Sequence, residues 1–358
     1  MPPGSADTDV LRLDPLVNPA LSGSVLVLGG GYTGRRFARS LKTLGVTVRL
    51  TSRRALAAAD CDGLDWLRFD PEAGVIPAPQ DLAGTTAVLV TIPPDRDGGD
   101  PVLTHLSETL QRLQPNWVGY LSTTGVYGDS DGSWVDEDSP VAPGLARSQA
   151  RLNCELAWRR LGLPLQVFRL PAIYGPGRSP LDTLLKGEAR LIHKPRQVFS
   201  RIHVDDIVGA LLHCLALPPG QRPDTLNLAD ACPCPSSEML AYAAHLLGMG
   251  LPEVQSYAGC EAKLSPMARS FWSENRRACS RRLREGLGYR LRYPSFREGL
   301  KAIMNEQNAG SSKTQADPAA ADGCRATSDP SGSRSSRVTA RCPDPEGSPP
   351  AAPSAASA

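Results

Sequence analysis

The sequence predicts a doubly wound α/β protein, a parallel sheet covered by helices on both faces, with a smaller lobe after it. Three observations carry this. Short runs of β-branched and aliphatic residues alternate with segments that place apolar residues at helical spacing. The runs are apolar almost throughout, as strands buried on both faces must be. The first of them leads directly into a cluster of glycines and then a helix-like segment.

Strands are expected at 24–28, 46–51, 66–69, 86–92, 117–122 and 165–169, and helices at 35–44, 101–113 and 146–161. Each run is closed by turn chemistry, and the strand–helix–strand order selects a parallel sheet. Beyond Pro171 the pattern loosens into Pro-rich loops, with helices near 205–217 and 236–247 and a strand at 225–228. That stretch reads as a smaller lobe on the end of the sheet. The ends differ in kind. Residues 1–22 show no period, and from Ser311 onward the single large aliphatic residue is Val338. Such a stretch cannot offset an ordering cost of about 1–2 kcal/mol per residue. The expected organisation is a disordered leader at 1–22, a nucleotide-binding core at 23–170, the remaining sheet and substrate lobe at 171–307, and a disordered tail at 308–358.

Composition narrows the class further. Lys and Arg number 39 against 37 Asp and Glu, a net +2 that gives no overall pull toward nucleic acid or an anionic membrane. No apolar run approaches the roughly 20 residues that span a bilayer. The first residues lack the basic and apolar stretches of a signal peptide. The expectation is a cytoplasmic protein with neither nucleic acid nor membrane as partner. Its nine cysteines are scattered, so they read as reduced thiols. Cys232 and Cys234 form one close pair, but no second pair follows to complete a zinc site, and no metal is expected.

The chemistry begins at Gly29-Gly30-Gly31-Tyr32-Thr33-Gly34, which is G-x-G-x-x-G with a strand before it and a helix after. The first glycine permits the tight turn and the second lets backbone approach a pyrophosphate. The third lets helix and strand pack closely, and the helix N-terminus supplies N–H donors. The expected ligand is a dinucleotide. An NAD site of this kind uses an acid at the end of the second strand to hold the ribose 2′-hydroxyl. Here that strand ends Leu50-Thr51-Ser52-Arg53-Arg54. Guanidinium groups suit a 2′-phosphate, so NADP(H) is expected ahead of NAD(H). Ile92 and Pro93, ending the fourth strand, should line the adenosine and ribose side.

Four later segments resemble one family. They are Leu121-Ser-Thr-Thr-Gly-Val-Tyr-Gly-Asp129, Arg169-Leu-Pro-Ala-Ile-Tyr-Gly-Pro-Gly-Arg178, Arg201-Ile-His-Val-Asp-Asp206 and Leu226-Asn-Leu-Ala-Asp230. With the glycine turn, they resemble the extended short-chain dehydrogenase/reductase family, the group of nucleoside-diphosphate-sugar epimerases and dehydratases. The likeness runs from about Ser24 to Met304. It implies a Rossmann fold, a nicotinamide dinucleotide in the first lobe and a small-molecule substrate, such as a nucleotide-sugar, under the second. It also implies cofactor contacts at Tyr32, Thr33, Asp70 and Pro171, and a homodimer through the helices at 101–113 and 146–161.

The catalytic pair departs from the family pattern. Members carry a Tyr, which exchanges a proton with substrate, and a Lys four residues later, which lowers the Tyr pKa. Alignment through Glu155 puts Arg147 and Arg151 at those positions, while Thr123 matches the hydroxyl that polarises the reacting oxygen. Arginine stays protonated and cannot act as a general base near neutral pH. Arg147 can act as a fixed cation beside an oxyanion or a phosphate, and Arg151 can keep the ribose contact. Two functions follow. One is an oxidoreductase or epimerase-like enzyme acting on a hydroxyl or carbonyl of a small metabolite; the other is an NADP(H)-binding sensor or scaffold without turnover. A pocket filled by Arg147 favours the sensor, and an open one the enzyme. Tyr127, Tyr174 and His203 read as structural, with His203 the alternative proton carrier. The arginines from Arg276 to Arg284 read as a solvated helix face, and the family resemblance adds the alternative that one or two of them reach a substrate diphosphate.

Overall fold

The computed structural model describes residues 18–314. The expectations for 1–17 and 315–358 lie outside the described residues. Residues to Ala309 form one compact unit and a second begins at Gly310; the site lies wholly in the first.

In chain order the strands are β1 (Ser24–Leu28), β2 (Val48–Ser52), β3 (Asp65–Arg68), β4 (Thr85–Val90), β5 (Trp117–Thr123), β6 (Trp134–Val135), β7 (Leu165–Leu170), β8 (Ala172–Tyr174), β9 (Leu191–His193), β10 (Arg201–His203), β11 (Thr225–Asn227), β12 (Val254–Ser256) and β13 (Arg277–Ala278). The helices are α1 (Tyr32–Thr43), α2 (Pro101–Leu113), α3 (Ala146–Arg160), α4 (Pro180–Leu185), α5 (Val204–Ala216), α6 (Ser236–Leu247), α7 (Tyr257–Cys260), α8 (Pro266–Trp272) and α9 (Phe296–Thr314).

Seven strands form the central sheet in the order β11-β7-β5-β4-β1-β2-β3. Every pairing in it is parallel. Alternation along β1 shows how the faces are filled. Val25 and Val27 join Phe37 and Leu41 of α1 and Ile207 and Leu211 of α5. Leu26 and Leu28 join Leu106 and Leu110 of α2 and Trp158 of α3 on the other face. A third apolar cluster, with Leu181, Leu240, Phe296 and Leu300, builds the second lobe. This is the doubly wound sheet that the sequence predicts.

The differences are local. Residues 18–22, expected in the leader, belong to the fold: Ala20 and Leu21 are buried, and Asn18 donates to the Leu215 carbonyl at 3.0 Å. At the other end α9 runs past 307 to Thr314. Helix α1 starts at Tyr32, ahead of the expected Arg35, because extended Gly31 sits at its N-cap. The pairs β8–β10, β9–β12 and β6–β13 were not expected. Strands of two or three residues are too short to show a period.

One buried group makes the fold sensitive to pH. Asp230 is 2% exposed; Oδ1 accepts the Cys232 N–H and Oδ2 has no partner. Burial pushes its pKa up to about 8, with Arg201 pulling down and Asp206 and Glu298 pushing up. Between an unfolded value of about 3.9 and that value, the folded state keeps a proton that the unfolded state has lost. Stability therefore falls as pH rises through this window, by up to about 1.4 kcal/mol per unit. Asp230→Asn should flatten this slope and leave the variant more stable than the parent at pH 8. Urea unfolding at pH 5, 6.5 and 8 checks it, and parallel slopes for the two proteins would refute it.

Candidate functional site

The sheet order reverses at β1, which has β2 on one side and β4 on the other. Ligands of open parallel sheets bind in the crevice at the carboxyl ends of strands at such a point. The glycine turn occupies it. Gly29 has φ +106°, and a Cβ there would stand 2.4 Å from the Thr91 hydroxyl. A Cβ on Gly34 would stand 2.1 Å from the Gly29 carbonyl, so helix and turn touch through backbone. Gly31 differs: nothing lies within 4 Å of where its Cβ would be. Neighbouring strands clamp the turn. The Thr51 hydroxyl accepts the Gly29 N–H at 2.9 Å, the Thr51 carbonyl accepts the Gly30 N–H at 2.8 Å, and the Thr91 hydroxyl donates to the Gly29 carbonyl at 2.7 Å. No side chain caps α1, so its first N–H groups are left for a ligand. This cradle fits a pyrophosphate.

A cleft of about 670 Å³ runs from the turn into the second lobe. Gly31, Tyr32, Thr33, Pro93, Thr123, Arg147, Arg151 and Pro171 all line it. Gly29 and Gly34 lie behind it as supports. Ile92 packs into the sheet core, and its carbonyl accepts from Arg151. Asp70 is not among the lining residues; its carboxylate pairs with Arg68 at 3.3 Å, and its backbone bridges Val75. Arg53 and Arg54 stand exposed beyond β2 and also lie outside the lining. Tyr32 spans the two halves of the cleft, its hydroxyl donating to the Pro176 carbonyl at 3.0 Å.

The two arginines on α3 are held differently. Arg151 is half-buried, and one nitrogen donates to the Tyr120 hydroxyl, the Leu121 carbonyl and the Ile92 carbonyl at 3.0, 3.1 and 3.3 Å. Its charge is thereby fixed at the ends of β4 and β5. Arg147 is exposed at the cleft wall, its guanidinium 4.5 Å from the Phe271 ring and beside Met267. Partial burial lowers its pKa, with Glu274 acting against the shift and Arg276 adding to it; an arginine so shifted remains a cation at neutral pH. It leaves the cleft open. Thr123 accepts the Gly125 N–H at 3.0 Å and starts the turn after β5.

Tyr127 and Tyr174 are buried, their hydroxyls donating to Asn227 and to the Ser295 carbonyl. His203 is 1% exposed between the Tyr174 and Tyr293 rings. Its Nδ1 accepts the Asp205 N–H, and burial lowers its pKa to about 4, so the ring is neutral at physiological pH. Tyr174 and His203 support the second lobe, and Tyr127 ties the turn after β5 to β11. The solvated-helix reading fails for Arg276. It precedes β13, donates to the Gly128 carbonyl and pairs with Glu274 at 2.7 Å inside the cleft. Phe199, Phe271 and Glu274 also line the cleft and were not foreseen. They come from loops and the short α8, which carry no period and no motif.

No family model matches the chain. A conserved protein of unknown function from Silicibacter pomeroyi is 43% identical, with a TM-score of 0.72 over 79% of this chain and 99% of that one. MoeE5, solved with UDP-glucose and NAD, is 22% identical, with a TM-score of 0.60 over 81% of this chain and 100% of its own; that likeness is one of fold. A 3-diazoavenalumate denitrifying reductase from a Streptomyces species is 30% identical over 181 residues, 46% of this chain and 58% of the reductase. The match thus spans little more than half of that relative.

Proposed function

We propose that this chain, which has the fold of NAD-dependent epimerase/dehydratase structures and the motifs of the extended short-chain dehydrogenase/reductase family, is an NADP(H)-dependent reductase of a small anionic metabolite. The observation that carries the reading is one open cleft joining the bare N-terminus of α1 to Thr123 and Arg147. Because Arg147 lies on Phe271 instead of filling the space, the cleft favours an enzyme over a sensor without turnover.

The residues constrain the chemistry. Hydride delivered to a carbonyl leaves an alkoxide that must gain a proton, and the reverse reaction must lose one; an arginine that keeps its proton is neither acid nor base here. Arg147 and the Thr123 hydroxyl supply positive charge and a hydrogen bond beside an oxygen that gains or carries negative charge, and water in the open cleft supplies the proton. When bound, the nicotinamide supplies the hydride. Gly31, Thr33 and the first N–H groups of α1 hold the pyrophosphate, and Arg151 holds charge beside the ribose. The partial relative is named as a reductase, which supports the reductive reading.

Arg53 and Arg54 have no carboxylate partner among the described residues, and they select NADP(H). Fluorescence titration tests both claims. NADPH should bind about tenfold or more tightly than NADH, the scale of one charge-assisted contact. Arg53→Ala with Arg54→Ala should remove that preference and leave NADH affinity unchanged. Equal binding of the two cofactors by the parent would sink the 2′-phosphate assignment. Binding of neither would sink the reductase.

A further inference from the structure

Deepening the reductase reading and resting on it, we infer that the substrate is an aromatic carboxylate whose ring lies against Phe199 and Phe271 and whose carboxylate pairs with Arg147. The argument starts from charge. Four arginines and two acids line the cleft: Arg147, Arg151, Arg178 and Arg276 against Asp95 and Glu274. Arg276 and Glu274 neutralise each other at 2.7 Å. Arg151 is committed to fixed oxygens at the strand ends, and Arg178 lies over Tyr32 beside the glycine turn. Arg147 remains, a cation with no carboxylate within pairing distance among the described residues, its nearest polar contact a thioether. A guanidinium in this setting gains most from a planar, bidentate anion.

The apolar wall gives the rest of the ligand. Phe271 is 54% and Met267 59% exposed, both on α8. Phe199 packs edge-on against Trp272 at 5.1 Å and turns toward the same cleft. Exposed aromatic surface beside a cation without a pairing carboxylate, within one cavity, is complementary to a flat apolar body with an acidic end. A sugar, rich in hydroxyls, would leave this wall uncovered.

The test is calorimetric titration of the full chain with 4-hydroxycinnamate, its methyl ester and UDP-glucose, each with and without NADP⁺. The acid should bind, the ester at least tenfold more weakly and UDP-glucose not at all. Arg147→Gln should weaken the acid at least tenfold and leave NADPH affinity within twofold, and Phe271→Ala should weaken acid and ester alike. Preference for UDP-glucose, or an acid affinity untouched by Arg147→Gln, overturns the assignment. Cofactor binding without acid binding also overturns it and leaves the reductase standing. Acid binding without cofactor binding does the reverse.

Discussion

Replacing Gly31 with alanine should leave the stability of the protein unchanged and weaken NADPH binding by at least about a hundredfold, roughly 3 kcal/mol. The two halves of this expectation have separate causes. Gly31 has φ −74°, which any residue adopts, and an added Cβ meets nothing within 4 Å. The free protein has no reason to notice the methyl group. A bound pyrophosphate does, because the methyl occupies the space through which phosphate oxygens reach the N–H groups of α1. Gly34→Ala should behave in the opposite way. Its Cβ would stand 2.1 Å from the Gly29 carbonyl and 3.1 Å from Val27, so α1 must shift away from β1. The cost is of the overpacking kind, about 1–3 kcal/mol of stability, and binding falls with it. Urea unfolding and NADPH titration of both variants separate the cases. If Gly31→Ala bound NADPH like the parent, the turn would not be the phosphate site.

The contrast between those glycines also marks what the sequence could reveal. A phosphate turn is local: strand, three glycines and helix N-terminus lie within one short stretch, and their spacing states the geometry. The strands were legible for a similar reason, since burial on both faces leaves near-continuous apolar runs within Ser24–Leu28 and Thr85–Val90. The substrate wall was not. Arg276 is drawn into the cleft by Glu274 and by the Gly128 carbonyl, and the latter contact joins segments far apart in the chain. In sequence it sits in a run of arginines that looks like any solvated surface. Phe199 and Phe271 precede a two-strand pairing and end a seven-residue helix, where no periodicity marks an inward face. Asp70 shows the converse: position alone suggested an adenine contact, while the side chain turns to Arg68.

The largest loss of stability is expected at Glu155, whose replacement by glutamine should cost about 3–5 kcal/mol. Glu155 and Arg169 are 1% and 7% exposed, joined by two hydrogen bonds at 2.8 and 3.2 Å, and Ser122 donates to the same carboxylate. Arg169 lies over the Tyr127 ring at 4.9 Å, and Tyr127 donates to Asn227. The network therefore ties α3 to the carboxyl ends of β5, β7 and β11, the edge on which the cleft is built. Glutamine keeps the shape of the side chain and removes its charge, leaving a buried guanidinium without a counter-ion. Removing both charges with Glu155→Leu and Arg169→Met should cost less than the single change, because no orphaned ion remains. Equal losses would show that packing, not charge, carries the effect. Function should follow stability here. Arg147, Arg151 and Glu155 are spaced by four on α3 and share one face, so an anchor lost at Glu155 releases the helix that presents both arginines to the cleft.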